Sequence, residues 1–394
     1  MWMLGEHPRG NQGRAKDPGA SSEGQRREPP RERICGEVGK PRPFLECMRY
    51  LQQSLAIAKA TVVESIQQPI AFLIVASGVL STLLVPLFQF HRFSEDGRLA
   101  RDSGFSTMMV FGLALAVTTA GRAVAVEIRR GTAAAIIGKP VARSLFVVSK
   151  WLGVCGVLLL FWLGVTAATL LAERGSSHFV LNDVCTHTQH GADDLCETSG
   201  YIMDYLTLGL GIAGVLVALI IAALQQYLKR RRFGVHAFIG ITVSQLVVVG
   251  LCGLYDRTGH LLFLLKGSPV FVSDLDWRIL SVGTLVLLAL LIFAALATAL
   301  ATRLQTGATL ALCVLVLLLG LTGDLLAAQT SLLSVQGWLA GLLPDLQHFW
   351  RCDVLAQGGS LSWGYVAEAG LYALSCCTLF LTAGCLSFAN RDLG

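Results

Sequence analysis

Charge is scarce in this chain. Asp, Glu, Lys and Arg make up 14% of 394 residues while apolar types reach 54%, and the mean hydropathy is +0.61. A soluble domain carries roughly 25% charged residues, so a water-soluble globule is excluded. Strand-like alternation of apolar and polar residues is also missing, which argues against a membrane β-barrel. No GxxxxGK[ST] occurs, so Gly39-Lys40 and Gly138-Lys139 are not phosphate cradles and the chain should not hydrolyse ATP by itself. HExxH and GxSxG are absent as well, which leaves no catalytic constellation to build an enzyme on. Nothing points to a nucleic-acid partner or to a bound cofactor.

What is present is length without charge. A helix crossing a bilayer needs roughly 20 apolar residues. Eight stretches qualify: Ile70–Phe90, Thr107–Val126, Trp151–Ala172, Met203–Leu228, Val235–Leu254, Ile279–Thr302, Ala308–Ala328 and Val366–Phe388. Inside hydrocarbon every backbone polar group must bond within its own segment, so these stretches are expected to be helices. The predicted class is all-α, a polytopic helical membrane protein with about eight spans.

Lys and Arg set the expected orientation. With the N-terminus in the cytoplasm, 22 bases fall inside and eight outside, Arg122 lying within the second span. Without the nine bases of the N-terminal tail the asymmetry is still 13 to eight. Both termini are therefore expected in the cytoplasm.

Residues 1–43 are rich in Gly, Pro, Arg and Glu without apolar periodicity, and lack the apolar core of a signal peptide. They read as a disordered basic tail. Residues 44–69 follow as an amphipathic helix. Leu51, Leu55, Ala58, Val62 and Ile66 recur at helical spacing, while Gln52, Lys59 and Glu64 lie elsewhere. This helix is expected along the inner membrane face, before a turn at Pro69. Residues 70–394 form the membrane domain.

Outside the cytoplasm the segment Glu173–Ile202 carries Cys185, His187, His190 and Cys196. Nearby cysteines there more often form a disulfide, so Cys185 and Cys196 are candidates for one. Free thiols and a zinc site are the alternatives, although the spacing matches no recognised zinc pattern. Leu332–Leu343 could be a short helix returning into the outer leaflet, ended by Pro344. Most other cysteines lie within spans, where they behave as small apolar residues.

Ionisable residues at the bilayer centre usually mark ion or proton pathways. Here Asp204, Asp324 and Glu368 fall near outer span ends and Glu127 at an inner end. That weighs against a proton- or sodium-coupled carrier, and no inverted repeat is visible.

The connection 127–150 between the second and third spans holds the strongest pattern: Glu127-x3-Gly131-Thr132-x6-Lys139-Pro140-x2-Arg143-x6-Lys150. Gly131 lets the chain turn closely and Pro140 helps to fix the exit from a short helix near Ala133–Ile137. Glu127 can pair with Arg143 or Lys150, or meet Arg122. Other motifs follow in order. They are Glu64 with Pro69, Ser94–Leu99, Ala299-x-Ala301-Thr302-Arg303-Leu304, Gly320-Leu321, Pro344-Asp345-Leu346 with Phe349, and Phe388-x2-Arg391-Asp392-Leu393. Together they resemble bacterial ABC exporter permeases of the second class, the family that includes gliding-motility and copper-enzyme-maturation types. The resemblance runs from about residue 48 to the C-terminus. It departs in span count, because the family's common core has six. Spans four and five, joined by Lys229-Arg230-Arg231-Arg232, look like an inserted pair.

The resemblance implies a permease of the bacterial cytoplasmic membrane that works with a second permease copy. It also implies a separately encoded cytoplasmic ABC ATPase that hydrolyses the ATP. Glu127, Gly131, Thr132, Lys139, Pro140, Arg143 and Lys150 would then couple ATPase closure to rocking of spans two and three. The alternative is a non-transporting scaffold or force-transmitting subunit coupled to such an ATPase.

Overall fold

The computed structural model describes residues 43–88, 97–129, 143–176, 178–181, 199–230, 232–255, 275–322 and 343–389. Cys47–Gly394 clusters as one compact unit. Helix α1 (Pro43–Ile66) stops two residues short of α2 (Pro69–Leu84), which continues as a tighter turn through Val85–Phe88. Pro69 occupies the first turn of α2, where its missing N–H costs nothing. α3 (Arg98–Arg129) and α4 (Arg143–Gly175) are the longest helices. α5 (Tyr205–Lys229) and α6 (Phe233–Cys252) form a hairpin. α7 (Arg278–Ala301), α8 (Thr306–Leu321), the short α9 (Cys352–Ala356) and α10 (Trp363–Ala389) complete the order. Between α4 and α5 a small antiparallel ladder pairs β1 (His178–Leu181) with β2 (Ser199–Ile202), His178 opposite Ile202. The sequence showed no alternation there.

Among the described residues seven helices, α2 to α7 and α10, are long and apolar enough to cross a membrane. This is a multi-pass helical membrane protein. The expected span Ala308–Ala328 corresponds to α8, described over 16 residues, or about 24 Å at the helical rise. Its last part lies outside the described residues, as do most of the tail, Ser94–Asp96, Asp324, all of Leu332–Leu343 but its last residue, and Arg391–Leu393.

α7 sits at the centre, touching α3, α4, α8 and α10, and is buried on nearly every side. The bundle around it is held by close packing, since hydrocarbon gives apolar helices no reason to leave it. Small residues accordingly face inward. On α10 the buried stripe is Val366, Ala369, Ala373, Cys377, Leu381, Gly384 and Phe388, while Leu371, Leu374, Leu379 and Leu386 point out. At Gly384 a Cβ would lie 2.9 Å from the Cα of Ala299, so only glycine lets α10 approach α7 this closely. Gly384→Val should cost about 1–3 kcal/mol of stability, as overpacked cores do. A lower thermal midpoint in detergent checks this, and an unchanged midpoint contradicts the packing.

The expected amphipathic helix is α1, and its apolar residues divide between two surroundings. Ala58 and Ile66 are buried and Val62 is half-buried, whereas Leu51 and Leu55 are exposed, as are Gln52, Lys59 and Glu64. The helix's second half leans on α4, where Thr61 and Val62 meet Gly153 and Gly156. The pair α5–α6 packs on α2 and α4 and leaves its other face open. Of the three glycines on α5, Gly211 meets Leu83 tightly, Gly214 makes ordinary contact and Gly209 faces open space.

Candidate functional site

The described ends of α3 and α4 that flank residues 130–142 are joined by a charge pair. Lys150 donates to Glu127 Oε1 at 2.5 Å, with side-chain exposures of 4% and 15%. The ammonium also lies 5.6 Å from the centre of the Phe146 ring. Of the partners the sequence offered to Glu127, Lys150 is therefore the one the structure brings to it among the residues whose side chains are described. Arg122 is exposed. Arg143 is the first residue of α4. Gly131, Thr132, Lys139 and Pro140 lie outside the described residues, and so do Cys185 and Cys196.

The local path of α3 places Glu127. Residues Gly121–Val126 widen into a π-helical turn immediately before it. Such turns insert one extra residue and rotate everything beyond them. At Gly121 a Cβ would stand 2.5 Å from Thr306 Oγ1, so the widened turn seats directly on the start of α8. Around this end the separate sequence motifs converge. Phe146 of α4 stacks on Phe388 of α10 at 5.7 Å between ring centres. Arg303 donates from Nη2 to Ser387 O at 2.7 Å and from Nε to Ser387 Oγ at 3.0 Å. Thus α3, α4, α7, α8 and α10 are tied together where the 130–142 connection begins and ends.

The opposite end carries two further charge clusters. Arg174, fully buried at the end of α4, contacts Asp204 at 3.4 Å from its Nε. It also donates to the carbonyls of Cys252, the last residue of α6, and of Tyr255 just beyond it. Asp204 caps α5 by accepting from Thr207 N–H at 2.9 Å. One guanidinium therefore binds α4 to both members of the α5–α6 pair. Burial first, then its contact with Cys252, pushes the Tyr255 phenol up to about 12, so it stays neutral beside Arg174.

In the second cluster Asp276 takes Arg101 at 3.0 Å and Arg278 at 2.8 Å, linking α3 to the start of α7. Burial raises the Asp276 carboxyl, but hydrogen bonds and charge from Arg278, with Arg101 beyond, outweigh that and hold it below the ordinary range. A depressed folded value means stability that is full above the unfolded carboxylate value and is lost as pH falls through the folded one. Acid titration of the detergent-solubilised protein should therefore show Asp276→Asn less stable near neutrality, with the gap to wild type closing below about pH 4. A gap that persists into stronger acid contradicts the ionised pairing.

Arg174, Asp204, Arg101 and Asp276 were not singled out as a site from sequence. The one local signal was Asp204-x-x-Thr207 at the start of an apolar run, a helix-start pattern. Motifs in the half of the bundle away from Glu127 and Lys150 also meet. Leu346 N–H donates to Gly320 O at 3.4 Å, and Tyr372 OH accepts from Asp345 N–H at 2.9 Å. Near them Met109, Val286, Ala289, Leu317 and Phe349 line part of a cavity of about 330 Å³, whose walls suit hydrocarbon rather than an ion. Among the described residues no group of His, Cys, Asp and Glu could hold a metal ion.

No family model matches this chain, and neither a curated protein nor a solved structure does.

Proposed function

We propose that the chain is the membrane-spanning permease subunit of an ABC exporter in a bacterial cytoplasmic membrane. A separately encoded ATPase supplies the energy, and a second permease copy completes the pathway. The observation that carries this reading is the Glu127–Lys150 pair. It braces the two helix ends from which residues 130–142 emerge, so force applied to that connection is delivered to α3 and α4 together. Those helices run about 48 and 50 Å at the helical rise, well beyond a hydrocarbon core of about 30 Å. A push at one end can therefore move the other.

α4 transmits such motion further, because Arg174 fastens α5 and α6 to its far end. Closure of the ATPase at the cytoplasmic face would rock α3 and α4 against α7, alternating access across the bilayer. The absence of carboxylates or histidines at span centres supports an externally powered cycle over an ion-coupled one. The test is to co-express the tagged chain with each ABC ATPase of its own genome and purify on the tag. A stable, ATP-hydrolysing complex with one of them is expected, and substrate-stimulated turnover in liposomes separates a transporter from a force-transmitting scaffold. Failure of every ATPase to associate rejects the reading.

A further inference from the structure

We propose that the turn joining α5 to α6 is the seat of one anionic phospholipid. The turn is Lys229-Arg230-Arg231-Arg232, and no Asp or Glu occurs from Tyr205 through Tyr255. Lys229, Arg230 and Arg232 are exposed, and none makes an ion pair with a described residue. Lys229, Arg230 and Arg232 repel one another, and an anion among them relieves that repulsion. Arg230 adopts a left-handed φ of 49°, a conformation glycine takes with less strain, so a base stands where the turn alone would favour glycine.

Beside the bases the helices leave an open groove of about 640 Å³ lined by Ala223, Gln226, Tyr227, Arg230 and Phe233. Its chemistry is graded. Arg230 and Gln226 stand at the turn, Tyr227 is 84% exposed beside them, and Ala223 leads to the exposed Leu216, Ile220 and Leu224 of α5. Those residues lie on a helix long and apolar enough to cross a membrane, so their exposed side chains suit hydrocarbon. A ligand that satisfies the whole groove has a negative head and an apolar tail. Inorganic phosphate would meet the bases and leave the apolar wall empty. A zwitterionic lipid would bring its own cation against the turn. Basic clusters between spans are well suited to anionic headgroups, and tyrosine to the water–hydrocarbon boundary. This site depends neither on the transport reading nor on which leaflet the turn faces.

The experiment is native mass spectrometry of the full chain in detergent. It is titrated with phosphatidylglycerol and with phosphatidylcholine of the same acyl chains. One phosphatidylglycerol is expected to stay bound, at least tenfold more tightly than phosphatidylcholine, and millimolar inorganic phosphate should not displace it. Arg230→Gln with Arg232→Gln should lose that preference. Ala223→Trp should weaken the lipid about tenfold by filling the groove while leaving every charge, and so the topology signal, in place. Equal binding of the two lipids, displacement by phosphate or by a soluble polyglutamate peptide, or full retention in Ala223→Trp would each overturn the assignment.

Discussion

Replacing Arg174 with methionine is expected to loosen the α5–α6 pair from the bundle and to lower stability by about 3–5 kcal/mol. The guanidinium is fully buried and serves three acceptors at once: the Asp204 carboxylate and the carbonyls of Cys252 and Tyr255. Removing it leaves an uncompensated carboxylate away from water, together with the carbonyls of Cys252 and Tyr255 without this donor. Asp204→Leu in the same chain should recover part of the loss, because a buried pair replaced by apolar groups is often nearly neutral. Recovery should stay incomplete, since the Cys252 and Tyr255 carbonyls still lack their donor. Thermal midpoints in detergent, with protease sensitivity around residues 229–232, read both effects. A single variant as stable as wild type would show that Arg174 is not the fastening.

That clamp illustrates where the sequence stops being readable. Spans are legible from apolar length alone, and the inward stripes of α5 and α10 follow from small residues three or four apart. Arg174 looked like one more base in an outer connection, because its burial depends on α6 ending within reach. α7 is apolar on every side, so no periodicity could announce it as the central helix. The glycines of α5 looked equivalent, yet only Gly211 meets a tight neighbour.

Of the candidate coupling residues, Glu127 and Lys150 had the right charges to meet, but choosing Lys150 required the rotation introduced at Gly121–Val126. An α-helical wheel carries no sign of that turn, which is seated by Thr306 from a distant part of the chain. Residues far apart in sequence, such as Arg303 and Ser387, became one cluster only through the packing of α7 on α10.

The second large effect concerns that cluster. Glu127→Lys or Lys150→Glu places two like charges where the native pair lies 2.5 Å apart, in a setting that is mostly closed to solvent. Either change should uncouple α3 from α4 at the connection, at a local cost of about 3–5 kcal/mol, while the spans still insert. Arg143→Glu and Gly131→Trp act on the same connection, the first by charge and the second by bulk, and should weaken ATPase association. The double variant Glu127→Lys with Lys150→Glu restores attraction with its direction reversed, so it separates the brace from the identity of its members.

The most direct measurement is the ATP turnover of the co-purified ATPase in reconstituted membranes carrying each of these three forms. The expected result is at least a tenfold loss in both single variants, with membrane insertion unchanged, and recovery to a third or more of wild type in the charge-swapped double. Wild-type association and turnover in both single variants would contradict the claim that residues 127–150 couple this protein to its energy source.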